Sequence, residues 1–312
     1  DDGRGGARVG RKKASFLDCV FPRADGCGPV PSVAPFTNAL PGFCRGVAGA
    51  VQSDTSTAIF AGNDVNLFKL DATNLTWAVV SKVGGYNLQV KELWDFAQFG
   101  NNVIAVTSSN NVQRYTLGSS ALFADLAGSP PQARGVAVVG DFLVLAGLTN
   151  NPNRIQWCDI NNITVWTPGT GLSDFQDFPD GGSVQGVSSG DYGLVFQDRA
   201  IRRMIFSGPP DIFQFQRISE DRGVLMRYSI IRSGGTAFFL SNDGFYKIDR
   251  SGGIVAIGSA RVNRTILADA DLTDPRFMVG MSDPSSQRVI WLYKSVGNKN
   301  ANLLDKALIY DW

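Results

Sequence analysis

The sequence predicts an all-β propeller of about six blades with a Pro-rich N-terminal extension. Three observations predict it. First, one pattern recurs six times: a short apolar strand opened by Gly, Asn or Ser, a turn, then a second apolar strand. The copies occupy residues 56–61 and 67–70, 101–106 and 112–115, 140–145 and 154–157, 190–196 and 200–204, 235–240 and 244–248, and 287–293 and 307–310. Their spacing of roughly 40 to 52 residues is that of a four-stranded propeller blade. Second, apolar residues alternate or run in short stretches, and no segment carries the period of a long amphipathic helix. Third, 35 glycines in 312 residues, with many Asn and Ser, suit a chain full of tight turns.

Taken in order, residues 1–45 read as a basic arm and an extended lead-in. The arm carries Arg4, Arg8, Arg11, Lys12 and Lys13 among glycines. It reads either as a solvated tail or as a contact for nucleic acid or a neighbouring subunit. Pro22, Pro29, Pro31, Pro35 and Pro41 follow. Proline has no N–H to give a strand ladder, so this stretch is expected to wrap the domain rather than enter a sheet throughout. The propeller is expected over 46–312. Its blades open with strands such as 45–50, 134–139 and 183–187. Several close on an Asn or Asp turn and an aromatic, namely Trp77, Trp166 and Phe213, which are expected to pack between blades. The sixth copy stops at Trp312 before an outermost strand, so the propeller is expected to be C-terminally incomplete or closed by the lead-in.

Composition narrows the function. There is no histidine, which removes Ser-His-Asp and Cys-His catalysis and His-ligated metals. Glu92 and Glu220 are the two glutamates, which weakens a paired-carboxylate hydrolase without excluding one based on Asp. No enzyme activity, cofactor or metal is expected. Cys19, Cys27, Cys44 and Cys158 fit no zinc spacing and are expected to be free thiols, with a Cys19–Cys27 bridge as the alternative. No apolar run is long enough to span a membrane, and no signal peptide is read at the N-terminus. Net charge is +1, so no global field draws the chain to polyanions, but 20 of the 29 basic residues are arginine.

Individual motifs weigh little. Ser241-Asn242-Asp243-Gly244-Phe245 resembles the Asp-box turn of sialidases but is one residue short and reads better as a hairpin turn. Asp269, Asp271 and Asp274 form an acidic loop with too few ligands and no bend glycine for calcium. The stretch Arg199-Ala200-Ile201-Arg202-Arg203-Met204 is more informative. On a strand Arg199 and Arg203 share one face and Arg202 takes the other. Arg199, Arg202 and Arg203 are therefore candidate contacts for DNA phosphates or a second subunit, set against salt bridging within the blade to Asp198, Glu220 or Asp221. Arg217, Arg222 and Arg227 continue the basic region.

Several phrases carry a resemblance: Trp94-Asp95-Phe96-Ala97-Gln98-Phe99-Gly100-Asn101, Asp174-Phe175-Gln176-Asp177-Phe178-Pro179-Asp180-Gly181-Gly182, Phe196-Gln197-Asp198-Arg199 with the residues that follow, Phe239-Leu240-Ser241-Asn242-Asp243-Gly244-Phe245-Tyr246, and the lead-in at 33–41. Together they look like virion structural proteins of tailed phages, from about residue 20 to the end. Within that group the chain resembles the tail nozzle, or packaged-DNA-stabilisation protein, of short-tailed phages. The resemblance implies a propeller protomer in a ring around the tail axis, usually a hexamer, next to the portal and adaptor. It would be made in the bacterial host cytoplasm, reside in the virion tail, and hold packaged DNA without reading its sequence. The alternative is a propeller that binds or cleaves host glycan as a receptor-binding tail protein. That role needs a cleft with two carboxylates, whereas a nozzle needs charges facing a symmetry axis. A cellular scaffold binding a peptide ranks third.

Overall fold

Short apolar runs broken by Gly, Asn and Asp turns build antiparallel meanders, because each run is too short to do anything but pair with its neighbour. In a computed structural model the described residues are 20–23, 26–29, 34–259, 262–300 and 303–312. The chain divides into a unit of residues 1–35 and a unit of residues 36–312. In the first unit, β1 (Val20–Arg23) pairs antiparallel with β2 (Gly26–Pro29).

The second unit is a six-bladed propeller. Blade 1 holds β3 (Val47–Val51), β4 (Thr57–Gly62), β5 (Leu67–Asp71) and β6 (Thr76–Val79), paired in chain order. Blade 2 holds β7 (Asp95–Phe99), β8 (Asn102–Thr107), β9 (Asn110–Thr116) and the two-residue β10 (Ala124–Asp125). Blade 3 holds β11 (Ala133–Val139), β12 (Phe142–Leu148), β13 (Arg154–Trp157) and β14 (Asp174–Asp177). Blade 4 holds β15 (Val184–Ser188), β16 (Gly193–Gln197), β17 (Ile201–Gly208) and β18 (Ile212–Ser219). Blade 5 holds β19 (Ile231–Ser233), β20 (Thr236–Ser241), β21 (Gly244–Ile248) and β22 (Ile254–Ala256). After α1 (Asn263–Asp269), blade 6 holds β23 (Met278–Asp283), β24 (Arg288–Tyr293) and β25 (Lys306–Asp311). The six predicted copies are the second and third strands of the six blades. Among the described residues blade 6 has three strands where the others have four.

The core lies between blades, as a repeat that cannot bury its own faces requires. Five apolar clusters fill five seams. Phe60 and Leu67 meet Val103 and Tyr115 between blades 1 and 2, and Ile104 and Val112 meet Leu143 and Trp166 between blades 2 and 3. Phe142 and Trp157 meet Val195 and Phe213 between blades 3 and 4, Phe196 meets Phe239 between 4 and 5, and Phe245 meets Trp291 between 5 and 6. Trp166 and Phe213 thus pack between blades as the sequence suggested. Trp77 does not: its indole N–H reaches the Asn38 carbonyl at 3.1 Å and the Thr37 hydroxyl at 3.2 Å. The seam between blades 6 and 1 has no such cluster among the described residues. Phe43, Val47 and Met281, which line the cavity along the inner strands, stay 40%, 64% and 44% exposed.

The lead-in runs along blade 1 of its own chain. The Asn38 N–H donates to the Leu75 carbonyl at 3.0 Å, Asn63 Nδ2 to Pro41 O at 2.6 Å and the Arg45 N–H to Gly62 O at 2.7 Å. The propeller unit therefore takes in residues from Phe36 onward, earlier than the boundary at 45 that strand patterning suggests.

Candidate functional site

The first strand of each blade lies next to the channel, and polar side chains tie these inner strands together alongside a few main-chain bonds, such as Gly190 N–H to Val138 O at 2.9 Å. Gln98 of β7 exchanges two hydrogen bonds with the Val51 backbone of β3, at 2.8 and 2.7 Å. Asp95 accepts from the Val136 N–H of β11 at 2.9 Å, and Ser189 Oγ from the Val138 N–H at 3.0 Å. Arg232 of β19 donates to Tyr192 O at 2.9 Å. Its guanidinium lies over Gly190, whose φ of +144° and missing Cβ both matter: a Cβ there would fall 2.6 Å from the guanidinium carbon. Asp95 is desolvated beside the channel. That pushes its carboxyl pKa up, against the Val136 N–H and the positive charge of Arg227.

The channel is crossed near the end where the inner strands begin. Arg227, Tyr228 and Ser229 form a 3-10 turn ahead of β19. Tyr228 Oη accepts a hydrogen bond at 3.0 Å from the Leu93 N–H, which precedes β7 on the opposite side of the six-blade ring. Arg227 donates to the Arg134 carbonyl of blade 3 and lies 4.8 Å from the Tyr228 ring centroid. Along the inner strands runs a cavity of about 740 Å³, with Val47, Phe96, Val136, Val187, Ile230 and Val279 in its wall. At the mouth is a second pocket of about 440 Å³, whose polar lining includes Lys91, Glu92, Ser108, Arg134, Gln185 and Arg227.

Of the arginines predicted as contacts, Arg202 and Arg203 lie elsewhere, on the third strand of blade 4, and Arg199 in the turn before it. Arg202 is 9% exposed; its Nε donates to Gln197 Oε1 at 2.9 Å and an Nη to Asp180 at 2.5 Å. Asp180 also pairs with Arg217. Arg202 is thus held within the chain by a carboxylate other than the three weighed from the sequence, and it does not present its guanidinium to a partner. Arg203 spans blades 4 and 5, donating to Arg250 O at 2.5 Å with its guanidinium 4.5 Å from the Tyr192 ring centroid. Arg199 is exposed in the turn between β16 and β17, and its side chain has no hydrogen bond or ion pair among the described residues. Arg222 binds Tyr246 Oη at 3.2 Å. Arg4, Arg8, Arg11, Lys12 and Lys13 lie outside the described residues, as does Cys19.

Sequence reasoning missed Tyr228, Arg134, Lys91 and Asp95 as a group. Their common signal was position: each stands at or just before the start of an inner strand. The acidic loop is spoken for by cations, with Asp269 on Lys306, Asp271 on Lys294 and Asp274 on Arg276. No cluster of three metal-ligating side chains occurs among the described residues. Cys44 is an exposed thiol and Cys158 a buried one, whose pKa burial pushes up to about 11. Among the described residues no helix is long and apolar enough to cross a membrane.

Neither a scan of protein-family models nor a search of curated proteins finds a match to this chain. Solved structures do match its fold. One is PorZ, a surface component of the type-IX secretion system of Porphyromonas gingivalis, with a TM-score of 0.51 at 11% identity over 80% of this chain. Another is the extracellular domain of a proposed hybrid two-component system of B. thetaiotaomicron, with a TM-score of 0.51 at 10% identity over 85% of this chain. The matches span 29% and 34% of those longer chains. At such identity the likeness is one of fold alone.

Proposed function

We propose that this chain is a structural protein of a phage tail, a nozzle-like or tail-hub protomer that assembles into a ring around packaged DNA. The observation that carries the reading is the set of sequence phrases resembling tailed-phage virion proteins, which extends through blades 2, 3, 4 and 5. In a protomer of this kind aromatic and arginine residues serve the seams between blades, as Trp166, Phe213, Arg202 and Arg203 do here. The DNA passage of such a ring lies between protomers, because the channel of each propeller is crossed by Tyr228. Portal, adaptor and other tail proteins are the neighbours this role requires. Light scattering and negative-stain imaging of the purified protein test it. Rings of about six protomers of 33.6 kDa are expected. A 33.6 kDa monomer at every concentration, with no ring in intact particles, overturns the reading.

The glycan-cleaving alternative is less well supported. Near the channel mouth, Glu92 is already engaged by Ser108 and Ser109, and Asp95 accepts backbone N–H groups from Val136 and Phe96. Two carboxylates facing each other across an open, aromatic-lined cleft are not what these residues make.

A further inference from the structure

The mouth pocket gathers cations whose donors are unused, next to carboxylates whose acceptors are taken. Arg134 is half-buried, its stem against Gly147, where a Cβ would sit 2.8 Å from Arg134 Cγ. Arg227 comes in from the crossing turn, and Lys91 from the segment before β7. Among the described residues none of the three forms an ion pair. Arg227 spends one donor on the Arg134 carbonyl, and its Nε is buried without an acceptor. The nearby anions face other donors. Glu92 takes the Ser108 and Ser109 hydroxyls and the Gln89 N–H, and Asp198 takes Gln185 Nε2 at 2.5 Å and the Ser183 N–H at 2.7 Å.

Burial lowers the Arg134 pKa, and the neighbouring Arg227 lowers it further. Arginine nonetheless stays charged, so two like charges are held side by side, with the carboxylates of Asp198, Glu92 and Asp95 near enough to act on them but not in ion-pair contact. An anion entering here finds the Arg134 guanidinium without a hydrogen-bond acceptor among the described residues, and the Arg227 guanidinium with one donor on the Arg134 carbonyl and others open. The apolar part of the lining is made by Leu225, Met226, Leu272 and Pro275. A volume of about 440 Å³ falls within the span of small-molecule sites.

We propose that the channel mouth binds a small organic anion, a carboxylate or phosphate ester with an apolar part, seated between Arg134 and Arg227. The apolar part rests on Leu225, Met226, Leu272 and Pro275. This stands apart from the tail reading and does not need a ring. Calorimetric titration of the whole chain tests it, with phenyl phosphate and phenylacetate as probes and inorganic phosphate at matched ionic strength for comparison. Phenyl phosphate or phenylacetate is expected to saturate one site per chain and bind more tightly than inorganic phosphate; whichever does so identifies the charged group. Arg134→Gln should weaken binding about tenfold or more. Lys91→Gln, at an exposed side chain that folding does not need, should weaken it about twofold and keeps the test open if Arg134→Gln misfolds. Failure of both aromatic anions to saturate at about 10 mM overturns the site. Affinity unchanged in Arg134→Gln and Arg227→Gln also overturns it. Equal affinity for inorganic phosphate overturns the organic part of the assignment.

Discussion

Tyr228 reaches across the propeller to accept a hydrogen bond from the Leu93 N–H at 3.0 Å, joining blade 5 to the approach of blade 2. It links two blades that share no seam, so it acts on the ring as a whole. Tyr228→Phe keeps the ring and its packing but leaves the Leu93 N–H without its acceptor. The expected cost is about 1 kcal/mol, read as a lower urea midpoint with an unchanged circular dichroism spectrum. An unchanged midpoint would mean that the crossing contact adds nothing to stability.

The buried phenols predict an alkaline limit. Burial pushes Tyr86 up to about 12, and raises Tyr228 and Tyr246 as well. A raised folded-state pKa means that the folded chain holds its proton where the unfolded chain has lost it. The stability these groups give is therefore complete below the ordinary phenol value of about 10 and falls as pH climbs from there toward 12. Unfolding midpoints measured across that window should drop, and Tyr86→Phe should flatten part of the drop. A flat profile in the parent protein would contradict this.

The seam between blades 6 and 1 should open first. Five seams hold apolar clusters, whereas the sixth holds none among the described residues. Local opening follows the lack of buried apolar contact. Hydrogen exchange read by mass spectrometry should show β3 and β23 exchanging ahead of β11, β12 and β15. Protection that is uniform around the ring would show the seam closed by contacts other than apolar packing.

Arg202 and Arg199 should separate cleanly in a stability assay. Arg202→Met strips Gln197 and Asp180 of a buried donor and is expected to cost about 1–2 kcal/mol, with Arg217 still holding Asp180. Arg199→Gln, on an exposed turn, should change stability by less than about 0.5 kcal/mol. Changing Arg199, Arg202 and Arg203 together would thus mix folding with contact. If Arg202→Met is silent, the ion pair with Asp180 carries no net stability.

The architecture was legible because its signal repeats. Gly190 and Gly235, and the apolar strands behind them, recur at blade spacing, and each hairpin fell where the pattern put it. The site was less legible because it is assembled from single residues far apart in the chain. Nothing local in Met226-Arg227-Tyr228 says that it will meet Leu93 and Arg134, since only ring closure brings them together. Arg202 misled for a related reason. Its partner Asp180 lies in the link between β14 and β15, 22 residues away, and not among the nearby carboxylates Asp198, Glu220 and Asp221. The use of the blade 1 edge by the lead-in depends on Leu75 and Trp77, which no periodicity ties to Asn38.

The last prediction concerns DNA. A duplex cannot thread a channel crossed by Tyr228 and Arg227, so phosphate contacts in a tail ring must come from the outside of each propeller. Arg199 is exposed, unpaired among the described residues and set at a turn, as a phosphate contact should be. Binding of the assembled ring to random-sequence duplex, followed by fluorescence anisotropy at several salt concentrations, should give a steep linear dependence of log affinity on log salt. Arg199→Gln should reduce that slope by about one and weaken binding equally for every sequence. Arg134→Gln, at the channel mouth, should leave the slope as it is. If Arg134→Gln shifts the slope and Arg199→Gln does not, the mouth rather than the outer turn faces DNA. If the ring binds no duplex at low salt, DNA retention is not its task.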